Sequence, residues 1–259
     1  MMTASEYLAA LQAEGLHVVQ RPGWLTRTTG NTWTPVGTVT HHTGPYSSVA
    51  SILDLLEQGR SDLSGPLCQA SCAPDGTIYL TAWGAANHAG QGDPDVLAAV
   101  KADRAIPAPN DTASTSVGGN QWFAGLESIH PGDATPWPAA QVDAMVRYSA
   151  AICRLNGWSA NRAIGHKEWT TRKIDPYGID MDQFRGAIAA RLSPQTKSED
   201  DDMAVIVRDA AGHAVATNYL THSPITAAER VTLVNAGKAT DLPPNDALYA
   251  YAISTPRAV

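Results

Sequence analysis

Long apolar runs are missing from this chain, and none of its stretches would cross a bilayer. The opening Met1-Met2-Thr3-Ala4-Ser5-Glu6 has no basic region followed by an apolar core, so neither a signal peptide nor membrane insertion is expected, and synthesis is expected in the cytoplasm. Phenylalanine occurs only twice, so the core must come from Ala, Val, Leu and Ile, which a 44% apolar content permits. Cysteine is scarce and odd in number. Cys68, Cys72 and Cys153 argue against a disulfide framework and read as buried thiols of a reducing compartment. Cys68 and Cys72 are spaced too widely for a Cys-rich zinc site, and on one strand they would share a face. Positive charge is also short: 18 basic against 25 acidic residues give a net −7, which disfavours nucleic acid as a partner.

What is present is a succession of short strands and helices. Ser5 to Glu14 carries Tyr7, Leu8 and Leu11 on one face and stops at Gly15, the pattern of a short helix starting at Ser5. The β-branched run Val36 to His41 predicts a strand that delivers His41 and His42 at its end. Val49, Ile52, Leu53 and Leu56 recur at helical spacing up to Gly59. Leu67 to Ala73 and Thr77 to Thr81 flank Pro74-Asp75-Gly76 and predict a hairpin. Asp93 caps a helix to Asp103 with Pro94 in its first turn. Asn110 to Gly119, rich in Ser, Thr and Gly, is expected to be a mobile loop before a buried strand, Trp122 to Ile129, that carries one acid, Glu127. Pro138 to Leu155 is an amphipathic helix with Val142, Met145, Val146, Ser149, Ile152 and Cys153 on one stripe, stopped by Gly157. Asp182 to Leu192 forms a last helix. Strands alternating with helices predict an α/β domain over residues 1–193, a mixed central sheet flanked by helices.

The composition then changes. Residues 194–203, including Glu199-Asp200-Asp201-Asp202, are polar and acidic and read as a linker. Residues 204–259 are expected to form a small α+β domain, with a hairpin at Val205 to Val215, a helix at Ala227 to Ala236 and a strand at Leu248 to Ile253. No internal repeat and no familiar motif occurs in it.

The chemistry concentrates in Gly165-His166-Lys167-Glu168-Trp169-Thr170-Thr171-Arg172-Lys173-Ile174-Asp175-Pro176. Zinc hydrolases commonly use three ligands drawn from His and carboxylate and leave a fourth position for water. His166 and Asp175 would be two of them if the loop folds back, and a strand-end histidine such as His41 would be the third. His41 and His42 point to opposite sides of a strand, so only one can bind the metal. Trp83, Trp122 and Trp137 could line a sugar-stacking groove, but large aromatics belong more often to the core, and the core reading is preferred. His17, His130, His213 and His222 read as ordinary surface or loop residues.

In the same order along the chain, these segments resemble the zinc-dependent N-acetylmuramoyl-L-alanine amidases of the type 2 amidase and peptidoglycan-recognition-protein family, as found in phage endolysins. Val39-Thr40-His41-His42-Thr43 looks like the strand that ends in the first ligand. Pro74-Asp75-Gly76-Thr77-Ile78-Tyr79 resembles the family's hairpin, and Asn87-His88-Ala89-Gly90 its His-Ala-Gly loop. Gly125-Leu126-Glu127 looks like the strand with the catalytic acid, and Gly165-His166 through Asp175-Pro176 like the last two ligands. The resemblance implies zinc on His41, His166 and Asp175, Glu127 as general base, and Lys173 stabilising the oxyanion or the leaving group. It leaves His42 and His88 as candidate substrate contacts, with His88 equally able to orient its loop. Some relatives carry a Tyr on the first hairpin strand where Cys68 stands here, which leaves the acid role to Glu127.

The same resemblance implies peptidoglycan as substrate, hydrolysis during host lysis and release to the wall through a holin-type exit. Residues 204–259 would bind the wall or mediate self-association. A non-catalytic peptidoglycan-binding receptor on the same fold is the alternative; such relatives usually lose a ligand, and none is missing here.

Overall fold

The computed structural model describes residues 2–193 and, beyond them, the backbone of four strands. The chain divides into two compact units, Met1–Ser193 and Pro194–Val259.

In the first unit the helices are α1 (Ala4–Ala13), α2 (Val49–Gln58), α3 (Pro94–Lys101), α4 (Ala139–Asn156), α5 (His166–Trp169) and α6 (Met181–Leu192). The strands are β1 (Val18–Gln20), β2 (Gly37–His42), β3 (Gly59–Arg60), β4 (Leu63–Ser64), β5 (Ala70–Cys72), β6 (Ile78–Leu80), β7 (Gln91–Gly92), β8 (Val117–Gly118), β9 (Phe123–Ser128) and β10 (Ala163–Gly165). A six-stranded sheet runs in the order β1-β6-β5-β9-β2-β10. Only the β5–β6 hairpin pairs antiparallel; β1 with β6, β5 with β9, β9 with β2 and β2 with β10 are parallel. The expected mixed sheet flanked by helices is therefore present.

Alternation along the strands separates two faces. Ala124 and Leu126 of β9, with Ala70, Cys72, Ile78 and Leu80, pack against α1, α4 and α6. Val39, Phe123 and Ile164 point the other way and meet α3 and Trp169. A third cluster joins Ile52, Leu53 and Leu56 of α2 to Leu67, Cys68, Ala73 and Ile129. Fully burying a side chain of this size contributes roughly 1.5–3 kcal/mol, so these clusters dominate the unit's cohesion.

The structure departs from several expectations for identifiable reasons. The first helix begins at Ala4 because Thr3, rather than Ser5, caps it: Glu6 N–H reaches the Thr3 hydroxyl while the Glu6 carboxylate accepts from Thr3 N–H at 2.8 Å. Cys68 and Cys72 lie in different clusters. Thr81 and Ala82 N–H both reach Gln69 O, at 2.9 and 3.2 Å, and this bulge ends the alternation before Cys68. The stripe expected on α4 is wider, extending to Gln141, Ala144, Tyr148, Ala150 and Ala151, because α1 and α6 both pack on this helix. The Asn110–Gly119 segment is tied down: Asp111 is buried, and Val117–Gly118 pairs with Gln91–Gly92. His130 is buried too, its ring stacked on Trp137 at 3.9 Å. Trp83 packs among Tyr7, Trp24 and Trp33, in keeping with a core role.

In the second unit β11 (Ala204–Arg208), β12 (Ala214–Thr217), β13 (His222–Ile225) and β14 (Ala239–Asp241) form a four-stranded sheet in the order β13-β12-β11-β14. β11 and β12 pair antiparallel with Val207 opposite Val215, and β14 runs parallel to β11. The expected linker at 194–203, helix at 227–236 and strand at 248–253 lie outside the described residues. Among the described residues no helix is long and apolar enough to cross a membrane.

Candidate functional site

Four parallel strands end at one edge of the sheet. His41 and Glu127 are register partners near the carboxyl ends of β2 and β9, and Ser71 of β5 pairs with Glu127 on its other side. His166 follows directly on β10, whose Gly165 pairs with Thr40. Ligand sites of open α/β sheets gather at this edge, because strand ends fix side chains on a rigid base while loops build the walls.

His41, His166 and Asp175 converge there, and all three are buried. His41 Nδ1 lies 2.9 Å from His166 Nδ1 and 2.9 Å from Asp175 Oδ2, and His166 Nδ1 lies 3.0 Å from the same carboxylate oxygen. The fold-back expected between His166 and Asp175 is held by Lys167, whose N–H donates to Asp175 O at 2.7 Å and whose Nζ reaches Ile179 O at 2.5 Å. His42 points to the other side: its Nδ1 accepts from Tyr177 N–H at 3.0 Å, and its ring lies against Gly132. Of the adjacent histidines, His41 is the one brought to the cluster.

The outer ring nitrogens are also engaged. His166 Nε2 lies 3.1 Å from Ala89 O, which only accepts, so Nε2 carries the proton and Nδ1 of a neutral ring presents a lone pair. His41 Nε2 meets His88 Nδ1 at 3.1 Å. His41 Nδ1 therefore faces two acceptor atoms with at most one proton to share between them. A cation between the three atoms removes that conflict. Ligand atoms of a tetrahedral zinc site stand about 3.3 Å apart given bonds near 2.0–2.1 Å, a few tenths more than observed here. The donor set fits zinc.

Burial dominates the electrostatics. It pushes the His41 imidazole down to about 4, with His166 acting in the same direction and Asp175 opposing. Burial, with His41 and His166, holds His88 well below its ordinary range. Burial would raise Asp175, but the close contacts of its carboxylate with His166 and His41 outweigh it and hold this carboxyl far below the usual range. The Glu127 carboxyl is pushed up to about 8, first by burial and then by the Asp175 charge, with Lys173 and Arg60 opposing. Its Oε2 is buried without a hydrogen-bond partner. Lys173 is exposed on the wall of a cleft of about 240 Å3 that also contains His88, Asn120, His166 and Arg172.

Several supporting residues escaped sequence reasoning. Gly125 leaves room for His88, since a Cβ there would come within 2.6 Å of its Nδ1. A glycine inside a buried strand was a usable signal of such close approach. Asp111 accepts from Thr170 Oγ1 at 3.0 Å and Thr171 N–H at 3.1 Å and pairs with Arg172 at 2.8 Å, anchoring the segment that carries Lys173. Asn120 binds the loop at residues 87–90. Neither Asp111 nor Asn120 belongs to a local pattern that marks it.

No curated protein matches the chain. Among solved structures, the endolysin N-acetylmuramoyl-L-alanine amidase LysCS from Clostridium intestinale URNW is similar at 16% identity and a TM-score of 0.43, covering 65% of this chain and 93% of its own. The hydrolase AmiA of Staphylococcus aureus, solved with its ligand, is similar at 14% identity and a TM-score of 0.46, covering 74% and 92%. The family model described as N-acetylmuramoyl-L-alanine amidase matches residues 31–178, more than half of the chain and a span that includes His41, Glu127, His166 and Asp175. The chain belongs to the N-acetylmuramoyl-L-alanine amidase family.

Proposed function

We propose that this protein hydrolyses the amide between N-acetylmuramic acid and L-alanine in bacterial peptidoglycan, using zinc held by His41, His166 and Asp175, and serves as a phage-type endolysin. Family membership supplies the bond to be cut. The observation that carries the zinc chemistry is the convergence of three donor atoms, 2.9–3.0 Å apart, beside a buried and unpartnered Glu127 oxygen.

An amide is a poor electrophile, so its hydrolysis needs a strong nucleophile, a proton acceptor and positive charge at the developing oxygen. His41, His166 and Asp175 would hold the zinc, which when bound would supply Lewis acidity and lower the pKa of a water to about 7. Glu127 accepts the proton of the attacking water at its carboxylate and returns it to the amine of the leaving L-alanine. Its pKa is raised partly by the facing Asp175 charge, so neutralising that charge frees Glu127 to act as a base at lower pH. Lys173, exposed on the cleft wall, is the cation available to the developing tetrahedral oxygen. His88 abuts His41 and lines the cleft, so orienting a ligand is the role its geometry supports best, with substrate contact available from the same position.

The deciding experiment measures zinc content and peptide release from purified walls. His166→Ala is expected to lose zinc and activity together, whereas Glu127→Ala keeps zinc and loses turnover. A fully active Glu127→Ala would reject the base assignment. A zinc-loaded wild type that binds walls without releasing peptide would replace the enzyme reading with a receptor. Residues 204–259 are proposed to tether the chain to the wall, with self-association the competing outcome. Deleting 199–259 should abolish sedimentation with isolated walls, and unchanged sedimentation would remove the tether. Release through a holin-type exit belongs to the same reading, and lysis by cytoplasmic expression without any such exit would overturn it.

A further inference from the structure

Asn120 lies in the turn before β9 and its side chain holds an entire loop. Its Oδ1 accepts three successive backbone N–H groups, from His88 at 3.2 Å, Ala89 at 2.9 Å and Gly90 at 3.0 Å. Its Nδ2 donates to Asn87 Oδ1 at 3.1 Å. Three converging donors fix which end of the carboxamide is oxygen, because an NH2 group there would leave all three unsatisfied. Consecutive N–H groups around one oxygen form a concave nest, here filled by the protein's own side chain. The Gly119 N–H to Gly90 O bond, at 2.7 Å, closes the same ring of contacts.

The loop held this way makes two contacts with the metal-site histidines. Ala89 O receives His166 Nε2–H at 3.1 Å, and His88 Nδ1 lies 3.1 Å from His41 Nε2. The Ala89 contact selects the His166 tautomer whose Nδ1 is free to ligate. The position of Ala89 O depends on the peptide planes whose N–H groups Asn120 gathers. One carboxamide thus sits behind the outer partners of both imidazoles, although it touches neither ring.

We propose that Asn120 is a positioning residue for the metal site: by clamping residues 87–90 it fixes the tautomer and ring orientation with which His166, and through His88 also His41, offer Nδ1 to a divalent cation. The proposal rests on the zinc reading above. Outer partners of metal-binding histidines typically change affinity by about 10–100-fold when removed.

The test compares wild type, Asn120→Ala and Asn120→Asp, the last of which keeps an oxygen acceptor for the three N–H groups. Zinc affinity is measured by competition with a chromophoric chelator. The His166 tautomer is read from 15N imidazole shifts of the metal-free, histidine-labelled protein. Asn120→Ala should bind zinc about 10–100-fold more weakly and lose the single Nε2–H tautomer, while Asn120→Asp stays within about threefold of wild type and keeps the tautomer. A folded Asn120→Ala with affinity within about twofold of wild type, or with an unchanged tautomer, would overturn the proposal. If Asn120→Ala does not fold, Asn120→Asp decides: loss of the tautomer in that folded variant overturns the clamp, and retention supports it. If wild type itself binds no zinc, the metal reading is what fails, and the tautomer comparison still judges Asn120.

Discussion

Replacing Glu127 by Gln should stabilise the metal-free protein at alkaline pH and do little at acid pH. Glu127 is raised from an ordinary value of 4.5 to about 8 because its carboxyl is buried, one oxygen lacks a partner, and Asp175 faces it. A carboxyl whose folded pKa exceeds its unfolded pKa binds more protons in the folded state. Stability is therefore greatest below about 4.5, falls as pH rises and levels off above about 8. At about 1.4 kcal/mol per pKa unit, the ionisation penalty at pH 7 reaches up to about 3 kcal/mol, and partial exposure of the side chain makes this an upper figure. Glutamine keeps the volume and carries no charge to desolvate. For a unit of this size about 1 kcal/mol moves Tm by roughly 2–4 °C, so the gain over wild type should grow from near nothing around pH 4 to roughly 6–12 °C around pH 7 and level off only above about pH 8. The assay is thermal denaturation followed by circular dichroism on chelator-treated samples across that range. Asp175 is held ionised in the folded state of both proteins, so its contribution largely cancels in the difference. A difference that stays flat with pH would refute the burial of an uncompensated carboxylate at this position.

Two further predictions concern the scaffold. Thr40 Oγ1 is buried with no hydrogen-bond partner, so Thr40→Val should raise unfolding stability by about 1 kcal/mol in urea titration, and a loss of similar size would show that the hydroxyl is satisfied. Gly125→Ala places a methyl within 2.6 Å of the His88 ring and should cost about 1–3 kcal/mol while weakening zinc binding, as measured by urea unfolding and chelator competition; unchanged values in both would mean that His88 has room to retreat.

Much of the first unit was legible because its signals are local. The β-branched run into His41, the Asp93-Pro94 helix start and the glycine after Asn156 each act through neighbouring residues, and each appears in the structure close to the expected place. Val18–Gln20 and Ala163–Gly165 were not anticipated as strands, since three residues are too short for alternation to show and their pairing with β6 and β2 is a tertiary event. From the residues alone the choice between His41 and His42 is a matter of parity, and only the resemblance points to His41; β2 register against β9 and β10 decides which parity faces the cluster. His130 escaped because its burial comes from stacking on Trp137, and Asn120 because its partners lie some thirty positions earlier in the chain. Side chains that act on distant backbone leave no periodic trace.

The placement of His41, Glu127 and His166 at the ends of parallel strands divides the molecule into a fixed floor and an exchangeable wall. The floor tolerates little, because each reactive atom is set by strand register and by a buried neighbour. The wall is left to the connections that leave these strand ends, such as 43–48 after β2 and 130–137 after β9, whose length and composition change without moving a strand. On the proposed function, exchanging such a segment should redirect the protein toward a different wall chemistry while the residues of the centre stay in place, so the range of walls it accepts is open to change one loop at a time.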